Sequence, residues 1–328
     1  MNTVFIVPTG IGAKIGGHAG DATPAFKLIA SVSDIAITHP NVVNASDINE
    51  MPANTWYVEG SILDRFLEDR FCLKKPISNK ILLVTNKPIQ SETINAISAA
   101  RHTIGCEIEI VELETELRMV AKITESGAGG DVFGWEELVD QIERYNFDAL
   151  AVATRIDCPK EVAMNYFNVG GVNPWGGVEA IASKLIANTI NKPVAHAPVE
   201  TEDEDIKYLN QVTDPRMAAE MISQCYIHCL FKGLHKAPRL SAIGLSVNDV
   251  DCLITPYECF GRPHIACLKA GIPILGVKEN TTCLNKRLPD ECYWVDNYIE
   301  AAGWLQSMRE GITRYSVSDD YLDEREYE

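Results

Sequence analysis

Short apolar runs alternate with helix-like patterns along the whole chain, and this alternation constrains the fold more than any other feature. Runs such as KILLVT (80–85) and DALAVAT (148–154) are almost wholly apolar, as expected of strands buried on both faces of a parallel sheet. Helical patterns follow most of these runs, which is the order of βαβ units. We therefore predict an α/β fold of mostly parallel, Rossmann-like sheets, with helices on both faces and two lobes around a cleft.

The local patterns predict eight strands and eight helices. The strands are predicted at 3–8, 34–38, 80–85, 107–112, 148–154, 193–197, 249–254 and 272–277. The helices are predicted at 24–33, 61–72, 90–104, 135–145, 177–190, 215–232, 262–270 and 298–310. Two long pieces, 126–134 and 155–176, look irregular.

The chain of 328 residues has room for two packed units. We predict an N-terminal lobe at 1–146 that carries a glycine-rich loop, a C-terminal lobe at 147–312, and an acidic tail at 313–328.

The charge of the chain bears on its partners and location. Lys and Arg number 29 against 46 Asp and Glu, a net charge of −17 that repels nucleic-acid backbones. No apolar run approaches the roughly 18 residues of a membrane helix, and the first residues lack the basic region of a signal peptide. We expect a cytoplasmic protein with no nucleic-acid or membrane partner. A homodimer is the expected oligomer, because it is the commonest closed assembly.

The segment PTGIGAKIGGHAGDATP (8–24) lies between the first predicted strand and the first predicted helix, where α/β sheets bind ligands. Its spacing, G-x-G-x-x-x-G, is one residue off the dinucleotide fingerprint, and no Gly-Lys-Ser/Thr ends it as in a P-loop. We predict an anion-binding loop of another kind, in which His18 and Asp21 transfer protons. A flexible surface loop with glycines at its turns is the alternative. The candidate ligand-binding residues are Gly10, Gly12, Lys14, Gly16 and Gly17.

Four later loops also follow predicted strands or precede predicted helices, so they are candidates for the same crevice. We predict that Glu179, Glu258 or His264 supplies a second acid or base. Tight turns between elements are the alternative for each loop. The remaining candidates, which would bind the ligand, are His39, Asn41, Asn44, Gly129, Gly130, Asn173 and Gly261.

Metal binding and cofactors are left open by the sequence. Two groups of side chains have the donor types for a metal, and convergence of either group depends on the fold. For the group that contains cysteines, the alternative is a buried helix face that uses Cys as a small apolar residue. The groups are His18, Asp21 and His39, and Cys225, His228 and Cys229.

Two short stretches resemble nucleotide-sugar glycosyltransferases built from two facing Rossmann-like domains. The first is a turn of the E-x-F-G type followed by a helix and an A-G-x-P strand, here Glu258 to Gly261 and then Ala270 to Pro273. The second is the G-G-H loop formed by Gly16, Gly17 and His18. This resemblance implies a nucleotide-sugar donor.

A second resemblance covers nearly the whole chain. The motifs PTGIGAKIGGHAGDATP, THPNVVNASD, GGVNPWGGVEAI and AGIPILGVKEN together resemble a bacterial and chloroplast-type family classed as a domain of unknown function. The resemblance implies a free-standing α/β protein and supplies no reaction.

The loops favour an enzyme that acts on a small anionic metabolite bearing phosphate or carboxylate, by non-redox transferase, lyase or isomerase chemistry. The glycine-rich loop would hold the anion, while Asn41, Asn44 and Asn173 would orient the substrate. Three alternatives stay open: a nucleotide-sugar-dependent transferase, an NAD-dependent oxidoreductase, and a non-catalytic metabolite-binding protein.

Overall fold

The computed structural model describes residues 1–18, 20–199, 212, 216, 218, 226–313, 316 and 317, with only the backbone of 45–47. The strands are β1 (Asn2–Phe5), β2 (Ile35–Thr38), β3 (Thr55–Tyr57), β4 (Cys72–Lys74), β5 (Lys80–Thr85), β6 (Glu107–Glu112), β7 (Arg118–Thr124), β8 (Gly127–Phe133), β9 (Ala149–Thr154), β10 (Ile156–Asp157), β11 (Val194–Pro198), β12 (Arg239–Ser241), β13 (Cys252–Pro256), β14 (Ile274–Val277) and β15 (Tyr293–Val295). The helices are α1 (Thr23–Ser31), α2 (Gly60–Leu67), α3 (Ser91–Thr103), α4 (Trp135–Ile142), α5 (Lys160–Val169), α6 (Gly176–Ile190), α7 (Tyr226–His235), α8 (Arg262–Ala270) and α9 (Tyr298–Arg309).

The first sheet has six parallel strands in the order β15-β14-β13-β1-β2-β3. If the six strands are numbered 1 to 6 in chain order and the sheet is read from β3 to β15, the order is 3-2-1-4-5-6. This is the doubly wound order of Rossmann folds. The helix after β1 packs on one face of the sheet, through Phe26, and the helix after β13 packs on the other face, through Cys267. The strand order therefore reverses between β1 and β13, and the loops after these two strands border a crevice at that point.

The second sheet has four parallel strands in the order β11-β9-β5-β6. Alternate residues of β5 enter different cores: Ile81 and Leu83 pack on one face, and Leu82 and Val84 on the other. Burial on both faces explains why these strands read as unbroken apolar runs.

The chain crosses from the first sheet to the second after β4 and returns before β12, and these two strands pair antiparallel. The buried side chain of Asn79 ties the two crossings, because its Nδ2 donates to the carbonyl oxygens of Leu234 and Ala237 and its Oδ1 accepts from Arg239. Residue 146, the predicted boundary between the two lobes, lies between β5 and β9, and these two strands pair in the second sheet.

All eight predicted strands are present, and the α/β class with mostly parallel sheets is confirmed. The two segments predicted as irregular are wrong. Residues 127–133 form β8, which pairs antiparallel with β7, and the segment 155–176 contains β10 and α5. Glycine in β8 hides the strand pattern, yet it allows α6 to approach closely, because a Cβ on Gly177 would overlap the carbonyl group of Ala128. Within the predicted helix 215–232, only residues 216, 218 and the run from Tyr226 onward are described, and that run is helical as α7.

Candidate functional site

The glycine loop, residues 8–22, follows β1 and lies across the carboxyl ends of the first sheet. Its backbone pairs with the segment after β14: Lys14 N donates to Thr281 O at 2.9 Å, and Cys283 N donates to Ile11 O at 2.9 Å. The loop thus occupies the point where the strand order reverses, which is the position that the sequence predicts for a ligand-binding loop.

Asn280 anchors the middle of the glycine loop. Its side chain is fully buried; Oδ1 accepts from Ile15 N at 2.9 Å, and Nδ2 donates to Ile15 O at 2.8 Å and to the Tyr298 hydroxyl at 2.7 Å. Both polar groups of one loop residue are therefore satisfied by a single amide.

His39 and Asn41, which follow β2, hold the start of the same loop. His39 Nε2 accepts the Val7 N–H at 3.1 Å, and Asn41 Nδ2 donates to Val7 O and to Gly16 O, both at 2.9 Å. Asn44 packs against Gly20, which has a positive φ of 79°. The two loops do lie side by side as predicted, and His39 and Asn41 hydrogen-bond to the backbone of the glycine loop.

The buried ring of His39 makes stability depend on pH. Burial lowers the pKa of His39 to about 4, against about 6.5 in an unfolded chain. Between these values the unfolded chain binds a proton that the folded chain does not, so the free energy of unfolding falls as pH drops through this interval. We expect His39 to account for about 2–3 kcal/mol of that fall.

The variant His39→Gln tests this assignment, because Gln keeps an acceptor for the Val7 N–H and does not titrate. Urea unfolding at about pH 7.5 and about pH 4.5 should show a smaller loss of stability in the variant than in the wild type. Equal losses in the two proteins would show that His39 is not responsible.

His18 lies in the glycine loop against α5. Its Nδ1 is 2.6 Å from the hydroxyl of Tyr166, and the two ring centroids are 5.6 Å apart. The His18 residue is 8% exposed and Tyr166 is 2% exposed, with the Tyr166 ring packed edge-on against Trp175. Tyr166 therefore fixes the orientation of the imidazole through a hydrogen bond at Nδ1.

Asp21 lies three residues beyond His18 and pairs with an arginine. Its Oδ1 accepts the His18 N–H at 3.3 Å, and its Oδ2 accepts from Arg216 Nε at 2.9 Å. Burial raises the pKa of Asp21, while the Arg216 guanidinium opposes that rise. Together with Tyr166, these residues form what we call the His18 site: His18, Asp21, Tyr166 and Arg216.

The N-terminus of α6 lies next to the start of the glycine loop. Asn173 Oδ1 accepts from Trp175 N at 3.0 Å and from Gly176 N at 3.2 Å, so its amide caps this helix. A Cβ on Gly10 would lie 3.3 Å from the Cα of Gly177, which shows how closely the loop and the helix approach.

Glu179, in the first turn of α6, pairs with His196 of β11. Glu179 Oε1 is 2.8 Å from His196 Nδ1, and His196 Nε2 is 3.0 Å from Thr154 O. His196 Nε2 also lies 3.1 Å from Thr154 Oγ1, so both ring nitrogens have polar partners. A carboxyl group and an imidazole, the side chains that most often act as acid or base, are thus in direct contact near the N-terminus of α6.

His264 and its neighbours after β13 have structural contacts. The His264 ring is fully buried; its Nδ1 accepts the Gly261 N–H at 3.1 Å, and its Nε2 is 3.0 Å from Thr255 Oγ1. Burial lowers the pKa of His264 to about 4. With both nitrogens engaged, His264 helps to cap α8, and its role as an acid or base stays a prediction. Glu258 is half-buried, and its role stays a prediction.

The remaining predicted residues are spread around these groups. Lys14 has an exposed side chain, and Gly12 packs against Val172. Gly129 and Gly130 lie within β8 and not in a loop, which corrects the predicted glycine-rich turn. Gly17 packs against the carbonyl oxygen of Ala13.

The predicted metal group of His18, Asp21 and His39 is not formed in the part of the chain that the structure describes. Across those residues, no three His, Cys, Asp or Glu side chains converge in a way that would hold a metal ion. The group of His18, Asp21 and His39 is divided between the His18 site and the Val7 backbone. Cys225, which belongs to the other group, lies outside the described residues.

Four residues of the site and its support were missed in the sequence: Tyr166, Arg216, His196 and Asn280. His196 had a signal, since it is a polar residue within the apolar predicted strand 193–197. Tyr166, Arg216 and Asn280 gave no such signal. The local sequence around each shows no functional pattern, and each lies far along the chain from the glycine loop that it contacts.

The fold and strand order make this a doubly wound α/β protein with a second parallel sheet inserted between its third and fourth strands. A family model described as "Protein of unknown function (DUF3326)" matches residues 2–318, and the chain belongs to that family. The family resemblance predicted from the sequence motifs is confirmed, whereas the glycosyltransferase resemblance is not shown. No solved structure matches the chain.

One relative is an uncharacterised lipoprotein of Synechococcus sp., 34% identical over 339 aligned positions that cover 97% of this chain and 93% of the relative. Its name contradicts the predicted cytoplasmic location, because a lipoprotein is held at a membrane by a lipid anchor. The helices of the described residues include none with the length and apolar character needed to cross a bilayer.

Proposed function

We propose that this protein is an enzyme that acts on a small anionic metabolite bearing a phosphate or carboxylate group. The observation that carries the proposal is the contact of His18 Nδ1 with the Tyr166 hydroxyl at 2.6 Å, beside the Asp21–Arg216 ion pair. A candidate proton-transfer group next to a buried carboxylate, at the carboxyl edge of a doubly wound sheet, is typical of active sites. The chemistry is non-redox transfer, elimination or isomerisation.

His18 is the group proposed to move a proton, since an imidazole gains and loses protons near neutral pH. Tyr166 acts as a positioning residue that holds the ring. Asp21, whose pKa burial raises, supports the adjacent backbone and is the second proton-transfer candidate of this loop. The Glu179–His196 pair is a further acid–base candidate near the N-terminus of α6.

The anion is proposed to bind to backbone N–H groups of the glycine loop, with the exposed Lys14 side chain and the N-terminus of α6 adding positive charge. Gly10 supports this role, because its positive φ of 74° turns the backbone where the loop meets α6. Asn41 and Asn173 contribute indirectly, by holding the loop and capping the helix.

The strand order of the first sheet favours one second candidate, an NAD-dependent oxidoreductase. In a dinucleotide-binding fold, however, the glycines lead directly into the helix N-terminus. Here the loop runs on to α1 only at Thr23, and its backbone at Lys14 and Ile15 is paired with residues 280 and 281. The non-redox proposal is therefore preferred.

Ligand-induced stabilisation tests the proposal. We expect at least one phosphate- or carboxylate-bearing metabolite to raise the Tm by several degrees, because a ligand at 100 times its Kd adds about 2.7 kcal/mol to stability. Neutral analogues of the same compounds serve as controls and should leave the Tm unchanged. Stabilisation by NAD(H) or by a nucleotide sugar alone would favour the alternatives, and no stabilisation by any anionic compound would contradict the proposal.

A further inference from the structure

A second polar cleft lies where α2, α6 and α8 meet, away from the glycine loop. Its volume is about 300 Å³, at the lower end of the range for small-molecule sites. We call it the arginine cleft, since three of its six lining residues are arginines. The lining residues are Arg65, Glu68, Arg70, Phe71, Asn191 and Arg262.

Positive charge exceeds negative charge in this lining, with three guanidinium groups against the single carboxylate of Glu68. Glu68 receives two bonds from Arg262, from Nε at 2.5 Å and from Nη2 at 2.8 Å. Arg70 reaches Glu68 only at 3.7 Å, and its side chain is 69% exposed. Asp64, outside the lining, is 4.0 Å from Arg262 Nη1. One carboxylate is thus shared by two arginines, within a chain whose net charge is −17.

Arg65 presents a third guanidinium in a fixed orientation. Its Nη1 donates to Asn191 Oδ1 at 2.8 Å, its Nη2 donates to Ala187 O at 3.2 Å, and its guanidinium lies over the Phe71 ring at 5.4 Å. Its Nε is buried, and none of the described residues offers it an acceptor. Burial lowers the pKa of Arg65, the Glu59 carboxylate opposes that fall, and the Arg262 charge adds to it, so the two guanidinium groups are close enough to repel each other.

Structural roles account for only part of this cluster. Arg65 ties α2 to the carboxyl end of α6, and the Arg262–Glu68 pair ties α8 to α2. Neither role requires Arg70. Each guanidinium group has five N–H donors, and these contacts use two donors of Arg65 and two donors of Arg262. The lining therefore keeps spare N–H donors beside a space of small-molecule size, where three guanidinium groups meet one lining carboxylate and the Asp64 and Glu59 carboxylates lie just outside it.

We propose that the arginine cleft binds a small oxyanion with two negative charges, either free phosphate or the phosphate group of a small metabolite. Phosphate fits the cleft because guanidinium groups bind its oxygens through pairs of parallel hydrogen bonds and neutralise its charge. An anion there also relieves the repulsion between Arg65 and Arg262.

The arginine cleft is separate from the His18 site. Gly177 packs next to the glycine loop, whereas Asn191 lines the cleft at the other end of the same helix. At about 1.5 Å of rise per residue, these two positions are about 21 Å apart. The proposal therefore does not rest on the proposed function.

Isothermal titration of the full chain with inorganic phosphate, and separately with glycerol phosphate, tests the cleft. We expect the wild type to bind, and Arg70→Gln and Arg262→Gln to weaken binding at least about tenfold. Arg70 is largely exposed, so its variant should fold even if Arg262→Gln does not. Arg144→Gln is the matched control, since Arg144 is 63% exposed and lies in the second sheet's unit, and it should bind as the wild type does.

The outcomes separate this proposal from the one for the His18 site. Binding of glycerol phosphate but not of free phosphate, lost in Arg70→Gln, identifies a phosphorylated metabolite as the ligand. Unchanged affinity in Arg70→Gln overturns the proposal, as does the absence of binding of either compound by the wild type. Loss of binding in His18→Asn with retention in Arg70→Gln would assign the anion to the glycine loop and would also overturn it.

Discussion

Replacing His18 with Asn is expected to reduce turnover by about 10²–10⁴-fold, the usual contribution of a general acid or base. Asn places an amide close to the position of Nδ1, so the contact with Tyr166 can be kept while the proton-transfer capacity is lost. The free energy of unfolding should stay within about 1 kcal/mol of the wild type, because the ring is lost without removing a large apolar group. Turnover and urea unfolding measured on the same preparation separate the two effects.

His102→Asn is the control for this variant. His102 is exposed on α3, where its Nδ1 contacts Ser98 O, so its replacement should leave both turnover and stability unchanged. Full turnover in His18→Asn would remove His18 from the mechanism. A loss of turnover that only matches a loss of folded protein would assign His18 a structural role.

Asn280→Ala is expected to destabilise the protein by at least about 2 kcal/mol and to release the glycine loop. The substitution removes the partners of Ile15 N, Ile15 O and the Tyr298 hydroxyl at once, and each buried polar group left unpaired costs about 1–3 kcal/mol. Ligand affinity should fall as well, since the loop is then held less firmly. Urea unfolding and amide hydrogen exchange at Lys14 and Ile15 measure the two effects.

Asn95→Ala is the matched control, because Asn95 is exposed on α3. Its change in the free energy of unfolding should be within about 0.5 kcal/mol. If Asn280→Ala were no more destabilising than Asn95→Ala, Asn280 would not be the anchor of the loop.

The regular fold could be predicted where burial leaves a local pattern. The core strands β5, β9 and β13 are buried along nearly their whole length, and their sequences are therefore continuous apolar runs. Strand β8 has no such pattern, because its glycines serve the close approach of α6. Helix α5 was hidden by a flank of Gly170, Gly171 and Pro174, which reads as loop.

The site could be predicted only in part for a similar reason. The carboxyl ends of parallel strands meet at one edge of a sheet, which is enough to expect that the loops after β1 and β2 lie together. The partners within that edge come from distant parts of the chain: Tyr166 is 148 residues from His18, and Asn280 is 265 residues from Ile15. These contacts depend on the order of the strands in the sheet, and the spacing of residues in the sequence does not reveal that order.

Glycine illustrates the same limit. The glycines at 10, 12 and 16 suggest an anion-binding loop, and their positive φ angles show that the backbone requires glycine there. Gly17 is instead needed for close packing against Ala13 O, and Gly20 has both a positive φ and a close contact with Asn44. Sequence alone cannot separate a glycine kept for a ligand from one kept for a neighbour.

Conversion of a metabolite mixture by the purified protein tests the central claim most directly. Wild type and His18→Asn are incubated in parallel with phosphorylated and carboxylated metabolites, and the mixtures are followed by mass spectrometry. We expect the wild type to convert at least one anionic compound into an isomer, a cleavage product or a transfer product, and His18→Asn to leave it unconverted. Equal conversion by the two proteins, or no conversion of any compound that the wild type binds, would contradict the claim.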